Sequence, residues 1–489
     1  MTAERWKSMG APNGAVDRRK VLFGGAGIAV ASVLPTGAVA SDDGVLDCLI
    51  IGAGLSGLTA ARDLASSGNS KFLVLEARDR VGGRTLNHRL RNGRFSEAGG
   101  QWIGPGHTAV ADLARELGVG TFDSDYSGSG VVLWDDARLT VNGHGGVDIT
   151  PSLKAKLEAL AAKVPCNAPW TAPDAHRLDH TTTEQWLRAE GASDLDLFSF
   201  RIASMMTVGA APGAASLLYY LSMLNFAEGF EHLEAQKGGA QQTRFKGGSQ
   251  VLSLKMAEAL GDKVVLNAPV TRIARWNGAI VTVETPKGTF KARQIIVALS
   301  PPLCDQIQFD PPLPAGRADL QRRWPTHGAL FKTAMVYPKP VWFDRGYNAQ
   351  VASLAGPVVW SYDNSPEDKS VGVINAFVRA GDLPPNLDAA RDAIAKVYAH
   401  AQQDESLNHP DEFHMVDWGA ENYTLTCISP MPPGFLTSGL MPTLTAPCGA
   451  MLWAGTETAD IWTGYMDGAV RSGHRAALRV LQALRTGTR

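Results

Sequence analysis

A chain of 489 residues is too long for one ordinary hydrophobic core, so at least two structural units are expected. A formal net charge of -2 without a Lys- or Arg-rich run leaves no electrostatic footprint for nucleic acid or an acidic membrane surface, and points to small-molecule partners. Cys48, Cys166, Cys304, Cys427 and Cys448 are too scattered for a disulfide framework or paired metal ligands, the histidines form no HExxH-like cluster, and no protein-bound metal is expected.

Residues 1–40 read as an export address. Asp17-Arg18-Arg19-Lys20-Val21-Leu22 precedes a weakly apolar run to Leu34 and then Ala38-Val39-Ala40, the layout of a twin-arginine signal peptide. The apolar run is too short to span a membrane comfortably, so no integral span is expected. The expected destination is the periplasm or the exterior, after folding and cofactor loading in the cytoplasm.

From Asp47 to Thr85 the pattern is strand, glycine turn, helix, strand. Leu49 to Ile51 leads into Gly52-x-Gly54-x-x-Gly57, and a second apolar run ends at Glu76. Gly52 allows the sharp turn, Gly54 keeps side chains away from a diphosphate, and Gly57 lets the helix close on the strand. The anion would sit on the helix N-terminus and Glu76 would meet a ribose hydroxyl, so an adenine dinucleotide is expected. Gly82-Gly83 and Gly99-Gly100, with Arg78 and Arg84, suggest further backbone and charge close to it.

A helix is predicted from about Thr108 to Gly118, and a mainly helical stretch from about 123 to 245, with a capping box at Thr181-x-x-Glu184 and a strongly apolar helix over Leu217 to Leu224. Strands are predicted at Val264 to Ile273, Ala279 to Val283 and Ile295 to Val297. Met335 to Tyr337, Val351 to Leu354 and Val371 to Phe377 add a second sheet between about 322 and 419, backed by a helix over Asn386 to Gln403. A strand at Met451 to Ala454, then Gly455-Thr456-Glu457-Thr458, leads to an amphipathic helix from about Asp467 to Leu484.

From Asp47 to Leu484 the chain resembles the flavin-dependent monoamine oxidase family. The motifs are LEARDRVGGRT at Leu75 to Thr85, GGQWIGP at Gly99 to Pro105, FKGGSQ at Phe245 to Gln250, FDPPLP at Phe309 to Pro314, and WAGTETADIWTGYMDGAV at Trp453 to Val470. The resemblance implies a mixed α/β (α+β) fold. A Rossmann-like FAD-binding domain would be assembled from 46–122, 246–321 and 420–489, and a substrate domain with a second sheet and helices from 123–245 and 322–419. It implies FAD as the dinucleotide, held by Gly52, Gly54, Ser56, Gly57, Glu76, Arg78, Arg84, Gly100, Gln101, Trp102, Val270, Glu457 and Met466.

The implied reaction oxidises an amine to an imine by hydride transfer to flavin N5, with O2 as acceptor and hydrogen peroxide as product. Lys332 matches the lysine that holds a water against N5. Tyr465 matches one wall of the aromatic pair flanking the amine, and Tyr219, Tyr220 and Gln241 would join the substrate pocket.

The opposite wall departs from the family pattern. Counting forward from Trp418 puts Cys427 at the flavin-linking cysteine and Ile428 at the wall tyrosine; counting back from Met431-Pro432-Pro433-Gly434 puts Thr426 and Cys427 there. Either way the second wall is not aromatic, and non-covalent FAD is slightly favoured over a link through Cys427. A dehydrogenase passing electrons to a cytochrome-type acceptor, or an FAD-binding protein without catalysis, are the alternatives. The substrate may be a primary, secondary or cyclic amine, and a homodimer is an open expectation.

Overall fold

The computed structural model describes residues 44–135, 137–142, 149–326 and 330–486, and the export signal read in residues 1–40 lies outside them. Two large sheets and a helical layer make up the fold. In the first sheet Val45–Ile51 lies between Phe72–Leu75 and Gly288–Val297, parallel to both, with Leu49 opposite Leu73 on one side and Ile295 on the other. These central strands are buried on both faces, which is why they read as apolar runs without alternation. Val264–Val265 pairs with Phe72–Leu75, Met451–Trp453 joins Gly288–Val297, and Val281–Thr285, Arg272–Ala274 and Gln308–Asp310 complete the eight strands.

The run predicted as one strand over Val264 to Ile273 is two short strands on separate parts of that sheet. Asn267, at φ 54°, turns the chain between them, and its N–H bonds the Arg78 carbonyl at 2.8 Å. The helix Leu55–Ser66 packs against the C-terminal helix Met466–Thr486 so closely that a Cβ on Gly473 would lie 2.4 Å from the Ser56 carbonyl oxygen.

The second sheet has seven strands in the order Glu412–Val416, Leu330–Tyr337, Gly372–Arg379, Val358–Asp363, Tyr347–Ser353, Ser129–Trp134, Ala137–Asn142. Its last two form a hairpin, so the stretch 123–245 is not mainly helical at its start, and the second sheet is not confined to 322–419. Val131 and Val132 are β-branched and fully buried in this hairpin, a pattern that suits a pleated surface. The helix Leu387–Gln402 starts at an Asn386 cap, whose Oδ1 accepts the N–H groups of Asp388 and Ala389, and stops at Gln403 in the left-handed region.

The helical layer runs from Pro151–Ala161 to Phe230–Glu234, built around the wholly apolar face of Leu217–Phe226. Its capping box is one residue later than predicted. Thr182 Oγ1 accepts the Gln185 N–H at 3.1 Å and Gln185 Oε1 accepts the Thr182 N–H at 2.8 Å, while Glu184 faces outward to Arg188. Trp462 and Tyr465, ahead of the C-terminal helix, pack against this layer. The first sheet, the second sheet and the helices therefore meet around the segment 455–466.

Candidate active site

A cavity of about 600 Å³ runs through that meeting point. At one end it is lined by Gly52, Gly54, Ser56, Glu76, Arg78 and Val270, and at the other by Lys332, Tyr219, Gln241, Cys427, Ile428 and Tyr465. Arg84, Gly100, Gln101, Trp102, Glu457 and Met466 line it between.

The glycine turn divides its labour as the spacing predicts. A Cβ on Gly52, at φ 103°, would lie 2.8 Å from the Ala298 carbonyl oxygen, and one on Gly57 would lie 1.9 Å from the Gly52 carbonyl oxygen. Gly57 is a packing residue and does not line the cavity. A Cβ on Gly54 would meet nothing within 4 Å, and the helix that starts there has no side-chain cap, so its first N–H groups face space suited to an anion.

Glu76 is fixed at the end of its strand, Oε2 accepting the Ala53 N–H at 2.8 Å and Oε1 the Arg78 N–H at 2.9 Å. Ser56 lines the cavity, while its side chain is engaged within the protein. Its hydroxyl accepts the Gly455 N–H at 2.9 Å and pairs with the Ser472 hydroxyl at 2.9 Å, tying the first and last helices together. Arg78 also binds protein, donating to the Tyr423 carbonyl, Thr424 Oγ1 and Glu421.

Arg84 Nη1 stands 2.8 Å from Glu457 Oε1, an ion pair by distance, yet neither Glu457 oxygen has a partner with hydrogen-bond geometry. The distance establishes the attraction; the angles leave both buried oxygens open to a donor. An uncapped helix start, an open cradle at Gly54 and buried acceptor oxygens at Glu457 together fit a dinucleotide with hydroxyl groups along its length.

At the far end the Lys332 side chain comes from the strand Leu330–Tyr337 and is 7% exposed. Its Nζ donates to the Gly99 carbonyl at 2.7 Å and to Gln101 Oε1 at 2.8 Å. Burial pushes its pKa down to about 7, against the pull of Glu97 and Cys427 toward the charged form. Gln101 is itself locked, Oε1 also accepting the Tyr362 hydroxyl at 2.9 Å and Nε2 donating to Asn364 at 2.8 Å.

Trp102, Trp360 and Phe377 line the same end, the last two stacked at 6.2 Å and 7°. Of this wall only Trp102 was anticipated from sequence. Trp360-Ser361-Tyr362 carries a two-residue aromatic period, but the partners across the strands, Trp360 opposite Phe377 and Phe377 opposite Lys332, depend on register.

Tyr465 is half-buried with His107, Trp462 and Phe226 rings 5.4, 5.1 and 6.3 Å away, and burial raises its hydroxyl pKa. Tyr219 lines the cavity, whereas Tyr220 does not. The Tyr220 ring is fully buried in the helical core and its hydroxyl is taken by Glu234, because adjacent helical residues point about 100° apart.

The two counts for the second wall are separated by which side chains reach the cavity. Cys427 and Ile428 both line it, while Thr426 is buried and turns its hydroxyl to the Ile428 carbonyl at 2.9 Å. Cys427 is exposed and lines the cavity, and desolvation raises its thiol pKa against the opposing effect of Arg84 and Lys332. Thr207, at the end of the helix Asp194–Thr207, also lines the cavity, and no sequence motif marked it.

A cavity with a dinucleotide turn on one part of its lining and a buried amine among aromatic rings on another defines a nucleotide-cofactor oxidoreductase. Residues 55–481 match the family model for flavin containing amine oxidoreductases. The chain is 38% identical over 459 residues to AofH of Mycobacterium tuberculosis, a relative assigned to the flavin-containing monoamine oxidases, covering 92% of this chain and 99% of that one. Among solved structures it is similar to cyclohexylamine oxidase from Brevibacterium oxydans IH-35A, with a TM-score of 0.83, 30% identity and coverage of 90% and 100%. It is also similar to a putrescine oxidase bound to putrescine, with a TM-score of 0.82, 30% identity and coverage of 89% and 99%. The chain belongs to the flavin-containing amine oxidoreductase family and is a flavin amine oxidase.

Proposed function

We propose that the protein oxidises an amine at the Lys332–Tyr465 end of the cavity and passes the electrons on to O2, giving hydrogen peroxide. The observation that carries this reading is the Lys332 amine, buried, held by two acceptors and facing the cavity beside Tyr465. When bound, FAD supplies the acceptor for the electron pair and hydrogen that leave the amine α-carbon.

The chain's own residues bind and orient. The Gly52–Gly57 turn and its helix N-terminus take the diphosphate, and Glu76 and Glu457 take hydroxyl groups. Tyr465 offers one ring face to the amine and restricts its approach. Across the cavity Ile428 and Cys427 stand where a second ring would, leaving a wider, one-sided cage. Trp102, Trp360 and Phe377 keep the site dry. The Lys332 amine, bonded on two sides, has one hydrogen-bonding direction left for the cavity. The imine product then hydrolyses in water.

For the flavin itself the reading is non-covalent attachment, since the raised Cys427 pKa disfavours the thiolate that a bond would need. The test is an anaerobic panel of primary, secondary and cyclic amines added to the holoenzyme, followed by air. Bleaching and rapid recovery with peroxide support the reading; bleaching with recovery only on adding a cytochrome-type acceptor makes it a dehydrogenase; no bleaching sinks it. Acid precipitation of the same sample is expected to leave the yellow colour in the supernatant, and a yellow pellet reverses the attachment.

A further inference from the structure

Beside Tyr465 lies a carboxyl group that the reaction described above does not use. Glu234 ends the short helix Phe230–Glu234, and its Oε1 accepts the hydroxyls of Thr207 at 2.8 Å and Tyr220 at 2.9 Å. The groups facing it are Thr207 from the helix Asp194–Thr207, Tyr220 from the helix Leu217–Phe226 and, more distantly, Tyr465; no cation contributes to its titration. One residue earlier the Leu233 carbonyl accepts Gln241 Nε2 at 3.3 Å, and the Gln241 Oε1 atom is buried without a partner. Thr207 and Gln241 both line the cavity; Tyr220 does not.

A hydroxyl has one proton, and Thr207 spends it on Glu234, so only its lone pairs remain for the cavity. The Gln241 amide keeps mixed character, since only one of its two Nε2 N–H groups goes to Leu233, so the acceptor-only group on this wall is Thr207. We propose that this helical turn sets Thr207 as an acceptor-only group for an N–H of the substrate, with Glu234 as the positioning residue. This rests on the amine-oxidase reading and adds a basis for telling substrate from product.

A primary or secondary amine brings at least one N–H donor to that wall. The carbonyl compound formed after hydrolysis brings none, leaves the Thr207 acceptor unmatched and is held less well there. Burial raises the Glu234 carboxyl to about 7, so below that pH it is protonated and can itself donate. The Thr207 hydroxyl is then free to turn its proton to the cavity, and the wall loses its acceptor character.

The test measures affinity of the holoenzyme for benzylamine or cyclohexylamine, whichever reduces the wild-type flavin at lower concentration, and for benzaldehyde or cyclohexanone as the carbonyl counterpart, by anaerobic absorbance titration. Thr207→Val is expected to weaken amine binding about tenfold, with the saturating reduction rate changed less than about threefold and carbonyl binding unchanged or tighter. Thr207→Ser should restore amine binding, and Glu234→Gln should remove any step in amine affinity near pH 7 while melting at the wild-type temperature. Unchanged amine affinity in Thr207→Val, or equal losses for amine and carbonyl, overturns this inference while leaving the amine-oxidase reading intact. A wild-type flavin that neither these two nor any other amine bleaches overturns both.

Discussion

Lys332 is a cation donor placed where its charge is marginal. Burial brings its titration to about 7, so it carries a third N–H toward the cavity below that pH and a lone pair above it. On the proposed reading this donor would face the point where negative charge develops with FAD bound, so the charged form is expected to be the faster one. Lys332→Met is therefore expected to slow turnover by about tenfold or more, to keep amine affinity within about threefold, and to abolish a fall in rate as pH rises through about 7. Stopped-flow reduction and reoxidation at several pH values check this; unchanged rates would refute the role. The lysine itself was legible only through a family motif. Its partners were not, because Gly99 and Gln101 lie 233 and 231 positions away in the chain and nothing in the local sequence brings them to this amine.

At the scale of elements, the same glycine motif serves two purposes that separate cleanly. Gly57 has no room for a methyl group, with the Gly52 carbonyl oxygen 1.9 Å from where a Cβ would sit, whereas Gly54 has open space and an ordinary negative φ of −76°. Gly57→Ala is expected to destabilise the protein by about 3 kcal/mol or to prevent soluble expression, since the backbone must move. Gly54→Ala should melt like the wild-type apoprotein yet bind FAD at least about tenfold more weakly, because the methyl group fills the anion cradle. Thermal melts of the two apoproteins beside FAD titrations distinguish them, and equal effects on both properties would show that the assignment is wrong.

Strand, turn and helix here were readable because each local signal agreed with the tertiary outcome. The hairpin Ser129–Trp134 and Ala137–Asn142 was not read, since its pairing with Tyr347–Ser353 spans more than two hundred residues and only that partner makes its valines core. Tyr220 was misplaced for a related reason. Aromatic type suggested the cavity, but the turn of the helix decides which of two neighbouring tyrosines faces it, and Tyr219 won.

For the molecule as a whole, the cavity touches both sheets and the helical layer, so a ligand that fills it stabilises all three together. Removing FAD is expected to lower the melting temperature by about 5 °C or more, since a ligand at about a thousand times its dissociation constant contributes about 4 kcal/mol. Calorimetry of holoprotein and apoprotein checks this. A melt unchanged by FAD would mean that the dinucleotide does not occupy the space between the layers.

The bond between Ser56 and Ser472 joins residues 416 positions apart, and the same serine takes the N–H of Gly455 at the start of the Thr-Glu-Thr turn. The anion cradle and its support are thus encoded some four hundred residues apart, and the support is synthesised after the cradle. A nascent chain emerging N-terminal end first therefore exposes a glycine turn that cannot yet close on a cofactor. Flavin capture is therefore expected to wait for Gly455 and Ser472, and a chain cut short before Gly455 carries the dinucleotide motif without this support.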